Sequence, residues 1–219
     1  MRCNVNCSKP LLYMAAVYSN AAGTLLRTDE KELDTDNLES TLESYGLPRK
    51  NIDEAVKGGE SINYVNNIID RLKENGDLNK LNNYFSKIGY RRIGDPDVYD
   101  ATSTKQGVVA YTDGNNLLGV NYQLEKRLEE LVADSYMSEE IAEHYLIAHE
   151  YVHRAQPDSV KSNVLVAETD AEMRVAEYFL ERAQEEKDPV KANEYQRGAE
   201  FAMNRFYSIL EQAIRREDE

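Results

Sequence analysis

Residues 138–157 read Ser-Glu-Glu-Ile-Ala-Glu-His-Tyr-Leu-Ile-Ala-His-Glu-Tyr-Val-His-Arg-Ala-Gln-Pro. Ser138 ahead of Glu139 and Glu140 is an N-cap residue with acidic side chains in the first turn, where they complement the helix dipole. Ile141, Tyr145, Ala148 and Val152 recur at the three- and four-residue intervals of a single helix face. Pro157 stops the pattern, since a proline has no N–H to continue the helix and pushes Gln156 towards extended backbone. The stretch predicts one amphipathic helix, and it carries all three histidines of the chain, His144, His149 and His153.

On either side the texture is mostly helical. Residues 163–186 and 190–216 predict two long helices broken near Asp188-Pro189, and Leu124, Leu128, Leu131 and Val132 share a face upstream. Before that, Val108–Thr112 and Leu117–Asn121 flank Asp113-Gly114-Asn115, which predicts a β-hairpin. Residues 90–106 predict an irregular segment with turn chemistry at Gly94-Asp95-Pro96-Asp97. The first ninety residues predict helices only. Leu38, Leu42 and Tyr45 form one stripe, closed by Gly46 and Pro48. A longer helix follows Gly58-Gly59, capped by Ser61, with Ile62, Val65, Ile68, Ile69 and Leu72 on one side and Gly76 at its end. Leu78, Leu81, Tyr84, Phe85 and Ile88 repeat the device up to Gly89. The expected fold is α+β and mostly helical, with a small sheet.

The N-terminus has a faint signal-peptide outline, with Arg2 and Lys9 ahead of the apolar run Pro10–Val17. Tyr13 and Tyr18 dilute that run, and a packed helix over 9–22 with Ser8 as N-cap is the expectation. Cys3 and Cys7 are too few and too close together for a disulfide framework. They fit a cytoplasmic protein, with secretion as the alternative. Forty acidic against 26 basic residues leave a net charge of −14. Such a surface repels phosphate backbones, so nucleic acid is not an expected partner. No run approaches the roughly 18 apolar residues of a membrane span.

The chemistry lies in His149-Glu150-Tyr151-Val152-His153, an H-E-x-x-H motif on the predicted helix. Residues four apart share a helix face, so His149 and His153 can hold one zinc ion between them. Glu150 falls beside that face, where it can act as general base on a zinc-bound water. His144 is off the ligand face. Catalytic zinc usually takes three protein ligands. With no histidine left, and Ser159 where a longer histidine motif would place its third, a carboxylate must serve. Glu168, Asp170 and Glu172 are available on the following helix, and Glu168 and Glu172 share a face.

H-E-x-x-H followed by a glutamate on the next helix resembles the gluzincin metallopeptidases. Glu168-Thr-Asp-Ala171-Glu172 is similar to the E-x-x-A-[DN] signature of the HtpX-type and ImmA/IrrE-type peptidases, and the 14 residues between His153 and Glu168 are as short as in minigluzincins. The resemblance covers roughly residues 107–185. It implies Glu168 as third zinc ligand and Glu172 as a support for a zinc-bound histidine, one methylene longer than the usual aspartate, with Glu172 as the alternative ligand. It also implies a zincin-like core over 107–219. In that core Leu118, Gly119 and Val120 form a sheet-edge strand that pairs with an extended peptide or protein substrate. One zinc per chain and peptide-bond hydrolysis follow as expectations. The alternative is a latent or catalytically idle zinc-binding regulatory or interaction protein. Residues 1–106 match no named group and are expected to pack on the core as a cap, lid or inhibitory segment. A thiolate of Cys3 on the zinc is a further route to latency. Tyr145, Tyr178, Tyr195 and Tyr207 are the candidate donors to an oxyanion.

Overall fold

In a computed structural model of the chain, residues 35–44, 46, 48–100, 110–112, 117–120, 124–135 and 137–217 are described. The helix expected over 9–22, Cys3, Cys7 and the turn at Asp113-Gly114-Asn115 lie outside them. The chain is mostly helical with one small sheet. The order is α1 (Thr35–Ser44), α2 (Arg49–Glu74), α3 (Asp77–Lys87), β1 (Asp97–Asp100), β2 (Ala110–Thr112), β3 (Leu117–Val120), α4 (Leu124–Ser135), α5 (Glu139–Ala155), α6 (Asp158–Lys161), α7 (Val164–Glu185) and α8 (Pro189–Glu217).

Gly76 separates α2 from α3 at φ 75° and Gly89 follows α3 at φ 76°, the left-handed conformation that glycine adopts without a Cβ penalty. The helix expected to start at Ser61 starts instead at Arg49 and runs unbroken through Gly58-Gly59. Two interior glycines cost about 1 kcal/mol each. Both are buried, between the buried Ile52 on one side and the buried stripe Ile62, Val65 and Ile69 on the other, so burial outweighs propensity. Ser138 does stand at the N-cap of α5, but its hydroxyl donates to Glu194 Oε2 on α8 at 2.6 Å rather than to the helix end.

The sheet departs from expectation in two respects. Asp97–Asp100 is a strand, within the segment expected to be irregular. It runs parallel to β3, with Asp97 opposite Leu117 and Asp100 opposite Val120. β2 pairs with β3 antiparallel, as the hairpin reading requires, Ala110 opposite Val120 and Thr112 opposite Leu118. The order is therefore β1-β3-β2. Leu118, Gly119 and Val120 are buried in the central strand, with both backbone edges already paired, so they are not the edge that was expected to receive a peptide.

One core joins the early helices to the later ones. Val65, Leu72, Leu81 and Phe85 belong to the same buried cluster as Leu118, Leu124, Ile147, Val152, Val175 and Phe179. Polar contacts reinforce it. Tyr64 and Arg71 of α2 both bond the buried carboxylate of Glu143 on α5, and Asp77 of α3 meets Arg182 of α7 at 2.8 Å. α7 and α8 pack closely enough that a Cβ on Gly198 would lie 2.5 Å from the Phe179 ring. No helix among the described residues is long and apolar enough to cross a membrane.

Candidate metal centre

α5 and α7 build the site, and local sequence fixes how they meet. Pro157 holds Gln156 at ψ 141°, which ends α5 at Ala155. After the single turn of α6, the side chain of Asn163 caps α7. Its Oδ1 accepts from Leu165 N at 3.0 Å and Val166 N at 3.3 Å, a cap of about 1 kcal/mol. Glu168 then falls in the second turn of α7 and Glu172 one turn further, both on the side that faces α5.

His149, His153 and Glu168 each offer one atom to a group whose members lie within 4.8 Å of one another. His149 Nε2 and His153 Nε2 are 3.1 Å apart, and Glu168 oxygens stand 3.7 Å from the first and 3.5 Å from the second. Ligand atoms around a tetrahedral zinc with bonds of 2.0–2.1 Å are separated by about 3.3 Å. The three observed separations bracket that value, so the donor set fits a small tetrahedral cation. The two imidazoles are largely covered, with side chains 14% exposed, whereas Glu168 is 41% exposed and forms the open side.

The charges are arranged accordingly. Burial opposes protonation of His149, but Glu168, Glu172 and Glu150 outweigh it and raise its pKa to about 9. The two imidazoles hold the Glu168 carboxyl well below the usual carboxylate range. Glu150 follows His149 directly and is 5% exposed. Burial pushes its pKa up, and its Oε2 has no hydrogen-bond partner among the described residues. A buried carboxylate oxygen left without a donor is costly unless it has work to do.

Glu172, the alternative ligand, is placed differently. It is fully buried and sits on the Nδ1 side of His149, 3.8 Å away. Its two oxygens face Tyr145 Oη at 2.6 Å and Arg205 Nε at 3.5 Å. It stands behind His149, on the side opposite Nε2. Asp170, on another face of α7, points to Tyr90, Gln156 and Arg174.

No family model, no curated protein and no solved structure matches the chain. The likeness to gluzincins therefore rests on the motif residues alone.

His144 is not part of the group. It is buried among the rings of Tyr178, Phe179 and Tyr195, with Nε2 3.3 Å from Tyr178 Oη. Those tyrosines belong to the same distant network: Tyr178 donates to the Asp77 carbonyl oxygen, and Tyr195 accepts from Arg182. With Tyr145 committed to Glu172, three of the four tyrosines considered as oxyanion donors are engaged elsewhere; Tyr207 is exposed on α8. Two residues at the site escaped the sequence reading. Arg205 reaches Glu172 from α8, and nothing in the local pattern marks it. Gln156 touches His153, and its only signal is its place between the motif and Pro157.

Proposed function

We propose that this chain is a zinc-dependent peptidase of gluzincin type, binding one zinc per chain through His149, His153 and Glu168. The observation that carries the reading is the convergence of these three donors at separations suited to a tetrahedral ion, beside the buried and unpartnered oxygen of Glu150. Bound zinc supplies Lewis acidity towards a peptide carbonyl and lowers the pKa of a coordinated water to about 7.

The protein residues do the rest. Glu150 Oε2 accepts the proton of the attacking water and returns it to the leaving amine. Glu172, held by Tyr145 and Arg205, backs His149 on the Nδ1 side. An extended peptide would add to the outer edge of β2 (Ala110–Thr112), which packs against α5 and has β3 as its one strand partner among the described residues.

The test is elemental analysis of protein purified without added metal, with mass-spectrometric detection of cleavage in a mixed peptide library. Wild type is expected to carry about one zinc and to cleave. Glu150→Gln is expected to keep the zinc and to lose roughly 10²–10⁴-fold in rate, the usual contribution of a general base. A protein that neither contains nor takes up zinc overturns the reading, as does a Glu150→Gln variant as active as wild type.

A further inference from the structure

We infer that Gln156 is a positioning residue for His153: it locks the imidazole in the Nδ1–H tautomer and so turns a bare Nε2 towards the metal group. The inference rests on the proposed zinc site for its purpose, though not for its geometry.

The orientation of the Gln156 amide follows from its partners. Gln156 is 2% exposed. One end of its amide lies 2.7 Å from the Ala167 carbonyl oxygen and 2.9 Å from Asp170 Oδ2. Both of those are acceptors, so this end must be the NH₂, and both of its protons are spent there. A flipped amide would set an oxygen against a carbonyl and a carboxylate. The other end is therefore Oε1, and it lies 3.1 Å from His153 Nδ1. An oxygen can only accept, so Nδ1 must carry the hydrogen. In the neutral ring the other nitrogen is then the acceptor. That nitrogen is Nε2, which faces His149 Nε2 and Glu168.

Asp170 anchors this arrangement from the far side. It is 8% exposed, accepts from Tyr90 Oη with both oxygens at 2.8 Å, and accepts from Arg174 Nε at 3.2 Å. A carboxylate held by two other donors is fixed in place, and it in turn fixes the Gln156 amide. The line Tyr90–Asp170–Gln156–His153 thus ties the segment after α3 to the second histidine of the motif. Pro157 makes it possible: in a continuing helix Gln156 would follow the helical path, whereas at ψ 141° its side chain folds back under His153.

The experiment is long-range ¹H–¹⁵N NMR of the three imidazoles in zinc-stripped protein, above the titration range of the rings, followed by zinc titration. Wild-type His153 is expected to show the Nδ1–H tautomer. Gln156→Met removes the acceptor at similar volume. It should shift His153 towards the commoner Nε2–H form and weaken zinc about 10–100-fold, the range for lost outer partners of a ligand. A wild-type His153 in the Nε2–H form overturns the inference without recourse to any variant, and so does a folded Gln156→Met with unchanged tautomer and zinc affinity. A locked tautomer in a protein that binds no zinc leaves the positioning role standing and removes the peptidase reading instead.

Discussion

Tyr145 donates its hydroxyl proton to Glu172 Oε2 at 2.6 Å, and this bond gives the two glutamates of α7 different tasks. Glu172 spends its oxygens on Tyr145 and Arg205 behind His149, while Glu168 turns a half-open carboxylate to both Nε2 atoms. Glu168→Ala is expected to abolish tight zinc binding, because it removes a direct ligand. Glu172→Ala is expected to weaken zinc about 10–100-fold and also to lower stability by about 1–3 kcal/mol, since the buried Tyr145 hydroxyl loses its acceptor. Zinc competition titrations and denaturant melts on both variants check this. The reverse order in zinc affinity would make Glu172 the ligand.

A second prediction concerns His144. Burial lowers its pKa to about 3, helped by Arg182, Lys191, Lys80 and Arg71. The unfolded chain has an ordinary imidazole near 6.5, so between pH 6.5 and 3 the unfolded state binds a proton that the folded state does not. The contribution of His144 to stability then falls with falling pH, by up to about 1.4 kcal/mol per pH unit. Two other shifted groups at the site act outside the upper part of this window, whereas Glu150 and Asp77, whose pKa burial raises, bind protons more readily when folded and oppose the His144 slope. His149, with a raised pKa, adds stability that is complete below 6.5 and lost as pH rises towards 9. Glu168, with a depressed pKa, loses its contribution only below the ordinary carboxylate range. The difference between wild type and His144→Phe in urea melts of zinc-stripped protein from pH 6.5 to 5 therefore isolates His144. His144→Phe, which keeps ring contacts with Tyr178, Phe179 and Tyr195, is expected to lose less stability than wild type over this range. Equal slopes in variant and wild type would refute the assignment.

The motif helix was legible because its information is local: a cap residue, a helical period and Pro157 all lie within twenty residues of one another. Spacing alone also set His144 apart from His149 and His153, and the resemblance singled out Glu168, which the structure brings beside both imidazoles. What escaped is non-local. Asp97–Asp100 is too polar and short to read as a strand, and it becomes one only through pairing with residues twenty positions later. That pairing is also what moved Leu118, Gly119 and Val120 from the edge to the centre. The unbroken α2 escaped for the opposite reason, since a local breaker signal at Gly58-Gly59 yields to burial from both sides. Gln156 and Asp170 acquire meaning only when α7 folds back on the end of α5, a contact that periodicity does not encode.

The last prediction concerns residues 1–100, which could be a removable inhibitor or part of the fold. The packing favours the second. Removing them would strip the buried Asp77 from Arg182, whose side chain is 4% exposed, and leave that cation with only the exposed Glu185 as a carboxylate partner, at 3.7 Å; breaking a buried pair costs about 3–5 kcal/mol. The Glu143 side chain, also 4% exposed, would lose both Tyr64 and Arg71, and Asp170 would lose Tyr90. The apolar faces of α5 and α7 would lose Val65, Leu72, Leu81 and Phe85, each worth about 1.5–3 kcal/mol when fully buried. A domain of this size is stable by only about 5–15 kcal/mol, so these losses exceed what it can absorb. A fragment spanning 101–219 is therefore expected to be insoluble or to lack a cooperative thermal transition. Limited proteolysis of the whole chain within α2 or α3 should likewise inactivate it, not release activity. A soluble 101–219 fragment with a sharp melting transition and zinc affinity equal to wild type would show that the early helices are a separate module.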